Sequence, residues 1–326
     1  MAAKNAGKGE RFSMSNFLSY ILNAEFAYSV LRVTTPILFA ALASVVAENS
    51  GASNIALEGI MLFAALFGAL GTGLTGSLWL GFLIALGGGL LIVVLLAYFA
   101  LYLKTDIILS GIALNTLATG GTVFIMYVLI HDKGGTSSLP SLVFPKVIIP
   151  GINAVPVLGT ILSGQNILTY TAFFMVFAVW VLLYKTKLGM HIRCVGENPD
   201  AAESVGIPIR KTKVTALMLS GFLASLGGVF LSMAYMSTFT RGMVAGRGFI
   251  ALAAAAMGRL SPVPTMCAAL FFGFADALSN VLAAMSIPDE FIKTIPYAST
   301  VFGLIVFSSW RERNRMKKNF IGENNG

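Results

Sequence analysis

Long apolar runs recur along this sequence, and they leave few structures open. About twenty apolar residues cross a bilayer core of roughly 30 Å as an α-helix. Such runs stand at 29–47, 55–74, 78–103, 107–130, 166–185, 213–237, 262–282 and 291–310. A shorter one at 247–259 reads as a broken or re-entrant helix. In lipid every backbone polar group must be satisfied within the protein, which leaves helices or closed barrels. The Leu-, Ala-, Phe- and Gly-rich runs lack the alternation of a barrel strand. Composition removes the soluble alternative: 56% of residues are hydrophobic and 11% are charged, where a soluble domain carries about 25%. The expected fold class is all-α, a polytopic helical membrane protein with about nine transmembrane helices, within a range of about eight to ten.

The net charge of +8 does not point to nucleic acid. The bases sit in short loops and in a C-terminal tail, 311–326, that begins "RERNRMKKNF". Basic residues of that placement mark the cytoplasmic side. Lys185, Lys187, Arg193, Arg210, Lys211 and Lys213 put a 186–212 loop there as well. The long 131–165 loop holds only Lys133 and Lys146 and is expected outside. Residues 29–310 form the expected membrane domain. Counting back places the N-terminus outside, while Lys4, Lys8 and Arg11 favour the inside, so the 1–28 segment has no assigned side. No cleavable signal peptide is visible there. Cys194 and Cys267 have no metal-ligand company, and a disulfide between them is not expected.

Two segments echo one another, "GASNIALEGIMLFAAL" at the second run and "AGRGFIALAAAAMG" at the seventh. On this orientation they enter from opposite faces, as the halves of an inverted repeat do. The chain has 34 glycines, many clustered inside runs. Small residues let helices approach closely where lipid supplies no hydrophobic drive.

One compact polar segment interrupts the apolar sequence, "GENPDAAESVGIPIRKTK" at 196–213. Asn198 can cap a helix, Pro199 suits its first position, and Asp200 and Glu203 favour the positive end of its dipole. Gly206 ends the helix and Pro208 prevents its resumption. A helix of about two turns is marginal alone, so it must dock, either on its own spans or on a partner.

"LLYKTKLGMHIRCVGENPDAAESVGI" resembles the signature loop of permease subunits in the ABC importer family for ribose, branched-chain amino acids and nucleosides. "TRGMVAGRGFIALAAAAMGRLSP" (240–262), "FFGFADAL" (271–278) and "SGASNIALEGIML" (50–62) resemble its nucleoside-type branch. The resemblance covers about residues 30–310 and implies a type II ABC importer-like fold. It assigns ATPase coupling to Gly196, Glu197, Asn198, Ala201, Ala202, Gly206 and Ile207. It also implies the partners: ABC ATPase subunits, a second permease subunit, homologous or identical, and an extracellular substrate-binding protein or lipoprotein. The sequence has no Gly-x-x-x-x-Gly-Lys-Ser/Thr run to hold phosphates. No cofactor is therefore expected on this chain, and ATP and Mg belong on the partner ATPase.

Polar groups inside a membrane are costly and face a cavity or another helix. Asn54 and Glu58 lie four residues apart in the second run, Asp276 and Asn280 likewise in the eighth, and Asn115 sits inside the fourth. With Arg247 these are the candidate translocation-path residues. Amides and a few carboxylates suit a transient path for neutral, hydroxyl-rich nucleosides. Each has a structural alternative: Asn54 and Glu58 as caps, Asp276 as the partner of Arg247, Asn115 as a helix–helix hydrogen bond. No nucleophile–base pair or metal motif supports an enzyme. The expected function is a multi-pass plasma-membrane permease for nucleosides. The alternatives are a sugar or branched-chain amino acid permease of the same type and, more remotely, an ion-coupled secondary transporter, which wants more ionisable groups at the midplane than this chain has.

Overall fold

The computed structural model describes residues 23–139, 141–148, 159–161 and 163–283, together with 298 and 303. The expected span at 291–310 and the tail lie outside the described residues. Ten helices appear among the described residues, and seven are long and apolar enough to cross a membrane.

The first, α1 (Ala24–Glu48), opens on Asn23, whose side chain accepts from Glu25 N. It is the central element: α2 (Leu57–Thr75) begins beyond its end, and α5 (Ile167–Lys185), α8 (Ile209–Phe230), α9 (Arg247–Met257) and α10 (Pro262–Ala283) pack around it. From Val33 to Ala47 every residue of α1 is buried. Such a helix, apolar all round, has no lipid-facing stripe to define.

The outer helices are α3 (Leu78–Ala97), α4 (Ile107–Ile130) and α5. Trp79, Phe124 and Phe174 on them are 70%, 68% and 63% exposed, as side chains that meet acyl chains would be. Both α3 and α8 end in a π turn, at Tyr98–Tyr102 and Leu231–Tyr235.

Close packing rests on small residues. A β-carbon on Gly228 would land on the Met61 carbonyl oxygen, and one on Gly273 on the Thr34 hydroxyl. Hydroxyls inside the helices largely satisfy themselves. Thr34, Thr72, Thr122, Ser225 and Ser279 each donate to the carbonyl four residues back, so they need no partner from lipid.

Two shorter helices, α6 (Lys187–Glu197) and α7 (Pro199–Ser204), fill the polar segment between α5 and α8. The 131–148 stretch lies at the opposite end. There it pairs with the 236–241 connection through Thr136 N to Phe239 O and Arg241 N to Gly134 O.

Candidate functional site

The polar segment builds one face of the site. Thr186 caps α6, accepting from Gly189 N at 3.1 Å while its hydroxyl donates to Leu182 O. A β-carbon on Gly189 would strike the Leu182 carbonyl, so α6 folds tightly back on α5. Its buried residues, Gly189, Ile192 and Val195, recur every three positions and form one stripe. Sequence reading treated 186–196 as loop. That stripe is the signal for α6, though short and broken by Lys, His, Arg and Cys.

Next, Asn198 turns the chain. It is extended at φ −151°, and its Oδ1 accepts from Ala201 N at 3.0 Å. Pro199 follows at the first helical position, so cap and proline take the expected places. The six-residue α7 stops at Ser204, and the chain then turns at Gly206, with φ +81°, a left-handed position that glycine adopts at no steric cost. Ile207 N closes the turn on Ala202 O. Ala202 is buried, while Ala201, Glu197 and Asn198 stay exposed.

Gly196 is where this face meets the membrane core. A β-carbon there would land on the Asn49 carbonyl and within 3.1 Å of Gly51 N. The end of α1 therefore touches the polar segment backbone to backbone. Between them opens a cavity of about 430 Å³, lined by Glu48, Asn49, Met190, Arg193, Cys194, Gly196, Glu197 and Leu260.

The second half of the site lies deeper, where α2 and α9 begin. After α1 the chain runs without regular helix from residue 51 to 56. Asn54 is fully buried there and donates to Ser220 Oγ of α8 at 2.9 Å. Asn115 of α4 locks the same stretch, accepting from Gly59 N at 2.8 Å and donating to Ile55 O at 2.9 Å.

Glu58 bridges to α9. Its two carboxylate oxygens accept from Gly246 N and Gly248 N, each at 2.8 Å. Those are amide groups at a helix start, which carry no intrahelical partner and present the positive end of the dipole. Gly246 has φ +79°, and a β-carbon on Gly248 would sit 2.6 Å from Glu58 N. Only glycine admits this approach.

Arg247, between these glycines, sends its guanidinium the other way. Its Nη2 donates to Asp276 Oδ2 of α10 at 3.0 Å and its Nε to the same oxygen at 3.2 Å. Both side chains are largely buried, and Arg247 also donates to Met243 O and Val244 O. One turn on, Asn280 is exposed.

So α2 and α9 start from one junction and diverge. The far end of α2 reaches Leu139 of the 131–148 stretch through Gly73. The far end of α9 reaches Asn49, which donates to Leu260 O at 2.9 Å. Eleven residues of α9 rise about 16 Å, roughly half a bilayer core. The structure thus gathers Glu58, Arg247 and Asp276, ties Asn54 and Asn115 to the adjoining stretch, and leaves Asn280 apart. Sequence reading missed Asn49 and Ser220. Asn49 falls just after an apolar run and looks like ordinary loop, and a serine inside a span gives no sign of its partner.

Residues 26–309 match the family described as branched-chain amino acid transport system / permease component. The chain belongs to that family. The permease is 36% identical to the guanosine ABC transporter permease protein NupQ of Bacillus subtilis, over 89% of this chain and 92% of the relative. It is 32% identical to the nucleoside ABC transporter permease protein NupC of Lactococcus lactis, over 86% and 90%. A Haloferax volcanii relative, TsgC13, whose name assigns it provisionally to glucose, is 31% identical over 81% and 78%. Among solved structures, PsaBC from Streptococcus pneumoniae in complex with Fab has a chain with a TM-score of 0.50 at 13% identity, covering 89% of this chain and 95% of that one. At that identity the likeness is one of fold. The permease is a multi-pass membrane component of an ABC transporter, a transport subunit rather than an enzyme.

Proposed function

We propose that this permease forms the translocation path of an ATP-driven nucleoside importer. The observation that carries the reading is its match to the guanosine and nucleoside permeases over nearly their whole length. A sugar is the second reading, favoured by the Haloferax relative. Both share the machine and differ in the path.

The machine needs partners. Separate ATPase subunits would hold ATP and Mg, a second permease copy or relative would complete the path, and a binding protein would deliver substrate. Charge supports a cytoplasmic position for the 186–212 loop and the C-terminal tail. On that orientation the exposed residues Glu197, Asn198 and Ala201 face the ATPase. Gly196, Ala202, Gly206 and Ile207 shape the short helix that meets it. A rigid, capped helix with small residues can lie close in a groove and carry a displacement.

The path candidates divide into two groups. Asn54, Glu58, Asn115, Arg247 and Asp276 spend their polar atoms largely on other helices, so they set the wall of the path. Asn280 is exposed, which supports it, among these six, as the candidate to meet a substrate hydroxyl or base edge directly. Weak contacts suffice, because a delivering protein supplies the affinity.

The test is uptake of labelled guanosine, uridine, ribose and leucine by cells expressing the permease with its ATPase and binding protein. Nucleoside uptake that disappears on deletion of the permease, and weakens in Glu197→Ala, is the expected result. Uptake of ribose alone would replace the substrate, and uptake independent of the ATPase would remove the mechanism.

A further inference from the structure

Between the polar segment and the end of α9 stands a residue that touches both, Asn49, the first with its backbone and the second with its side chain. Its backbone carbonyl faces Gly196, the last glycine of α6, at a separation that leaves no space for a β-carbon. Its amide Nδ2 donates to Val45 O of α1 at 2.7 Å and to Leu260 O at 2.9 Å. The second bond reaches 211 residues along the chain and ends on the turn that closes α9.

That turn is unusual in its backbone. Arg259 and Leu260 both take left-handed conformations, with φ +52° and +55°, which side chains with a β-carbon avoid. Leu260 N returns to Ala255 O, the wrapped ending of a helix. Two non-glycine residues in this state persist only when neighbours hold them. The Asn49 amide is one such hold, from outside the turn.

At its other end, α9 is gripped by Glu58 through Gly246 and Gly248, and by the Arg247–Asp276 pair. A half-length helix fixed at both ends moves as a unit. Beside Asn49 lies the cavity of about 430 Å³, bordered by Met190, Arg193 and Glu197 of α6, while Gly189, Ile192 and Val195 form the buried face of that helix.

We propose that Asn49 is the positioning residue that carries the displacement of α6 and α7 to α9, and through α9 to the path wall at Glu58. The proposal rests on the reading of 186–212 as the ATPase-facing loop. Asn49 needs no contact with substrate or nucleotide. It works because its carbonyl follows Gly196 while its amide holds Leu260.

The test compares wild type with Asn49→Leu, similar in size but without the amide, in the full complex with ATPase and binding protein in proteoliposomes. Two readouts are taken. One is guanosine uptake against ATP hydrolysis. The other is N-ethylmaleimide labelling, with and without ATP and orthovanadate, at exposed Cys194 on α6 and at Ala256→Cys near the end of α9, each as the single cysteine. In Asn49→Leu, hydrolysis should stay near the wild-type rate while uptake falls about tenfold, the effect on a coupling equilibrium of losing the bond to Leu260 O, the bond to Val45 O lying within α1. Trapping should still change labelling at Cys194 but no longer at Ala256→Cys.

Parallel loss of uptake and hydrolysis would overturn the proposal, as would an unchanged response at Ala256→Cys. If Asn49→Leu fails to assemble, the protein with Asn49 intact still decides, because a response at Cys194 without one at Ala256→Cys excludes a relay. Silence at Cys194 itself removes the coupling reading and the relay with it. Absence of guanosine uptake in wild type overturns only the substrate, since labelling reports movement driven by nucleotide.

Discussion

Two glycines in this permease hold two backbones together, and they do so in opposite surroundings. Gly248 admits the backbone of Glu58 inside the membrane domain, where the carboxylate finds two helix-start amides and Arg247 finds Asp276. Gly196 admits the backbone of Asn49 at the end of the domain, next to an open cavity and exposed polar residues. In the first, Arg247 is paired with Asp276 and the Glu58 carboxylate is held by two backbone amides, because a charge left without partners in a low-dielectric interior is expensive. In the second, water can serve the polar groups. On the proposed coupling, the same steric device would serve stability in one region and movement in the other.

That contrast can be broken at the deep contact first. Gly248→Ala places a methyl against Glu58 backbone atoms that cannot swing aside, and should cost about 3 kcal/mol or more, the top of the overpacking range. A detergent-solubilised thermal melt by size-exclusion would register it, and a melt unchanged from wild type would refute the tight contact.

Asp276→Asn should follow closely, at about 3 kcal/mol, the low end for breaking a buried pair, because both partners keep some solvent access. The double variant Arg247→Met/Asp276→Leu should recover most of that loss in the same melt. Recovery failing would mean that the pair contributes more than mutual neutralisation.

At the shallow contact the balance should reverse. Gly196→Ala also sets a methyl against backbone, the Asn49 carbonyl, and should cost about 1–3 kcal/mol, relieved only as far as α6 can draw away from Asn49. Nucleoside uptake in the reconstituted complex should nonetheless be largely lost. A variant that melts far below wild type would make both glycines structural and end the distinction.

Asn198→Ala removes the cap of a short exposed helix and should cost about 1 kcal/mol or less, again with a larger deficit in uptake than in stability. Smallest of all, Asn280→Ala should alter the melt by under about 0.5 kcal/mol, as exposed substitutions do. Its signature is a changed preference between guanosine and uridine in competition uptake.

Much of the fold was legible from residue order. Several starts and stops of the spans coincide with polar punctuation: Asp106 and Asn166 cap helices where the apolar runs begin, and Gly76 ends one in a left-handed turn, whereas α1 starts behind the Asn23 cap, ahead of the expected run at 29–47. The Asn198–Pro199 start of α7 and the Gly206 turn beyond it were equally visible, since caps and turns are local chemistry. Less visible was α6, because its buried stripe is short and its polar residues hide the period. The depth of the polar residues was not legible at all. Asn54, Glu58 and Asn115 could be placed on helices, but which neighbour each would meet depends on rotational phase, and a uniformly apolar helix such as α4 gives almost no phase signal.

By itself the sequence determined a helical membrane protein, most of the segments long enough to span among the described residues, and the capped helix of the polar loop. These follow from composition, run length and neighbours within a turn, which act over a few residues. Only the tertiary structure decided that Glu58 closes the start of α9, that Arg247 takes Asp276, and that Asn49 joins Gly196 to Leu260. Those contacts bridge residues 29 to 211 positions apart. They exist because a buried donor, acceptor or charge must find its partner wherever packing brings one within reach.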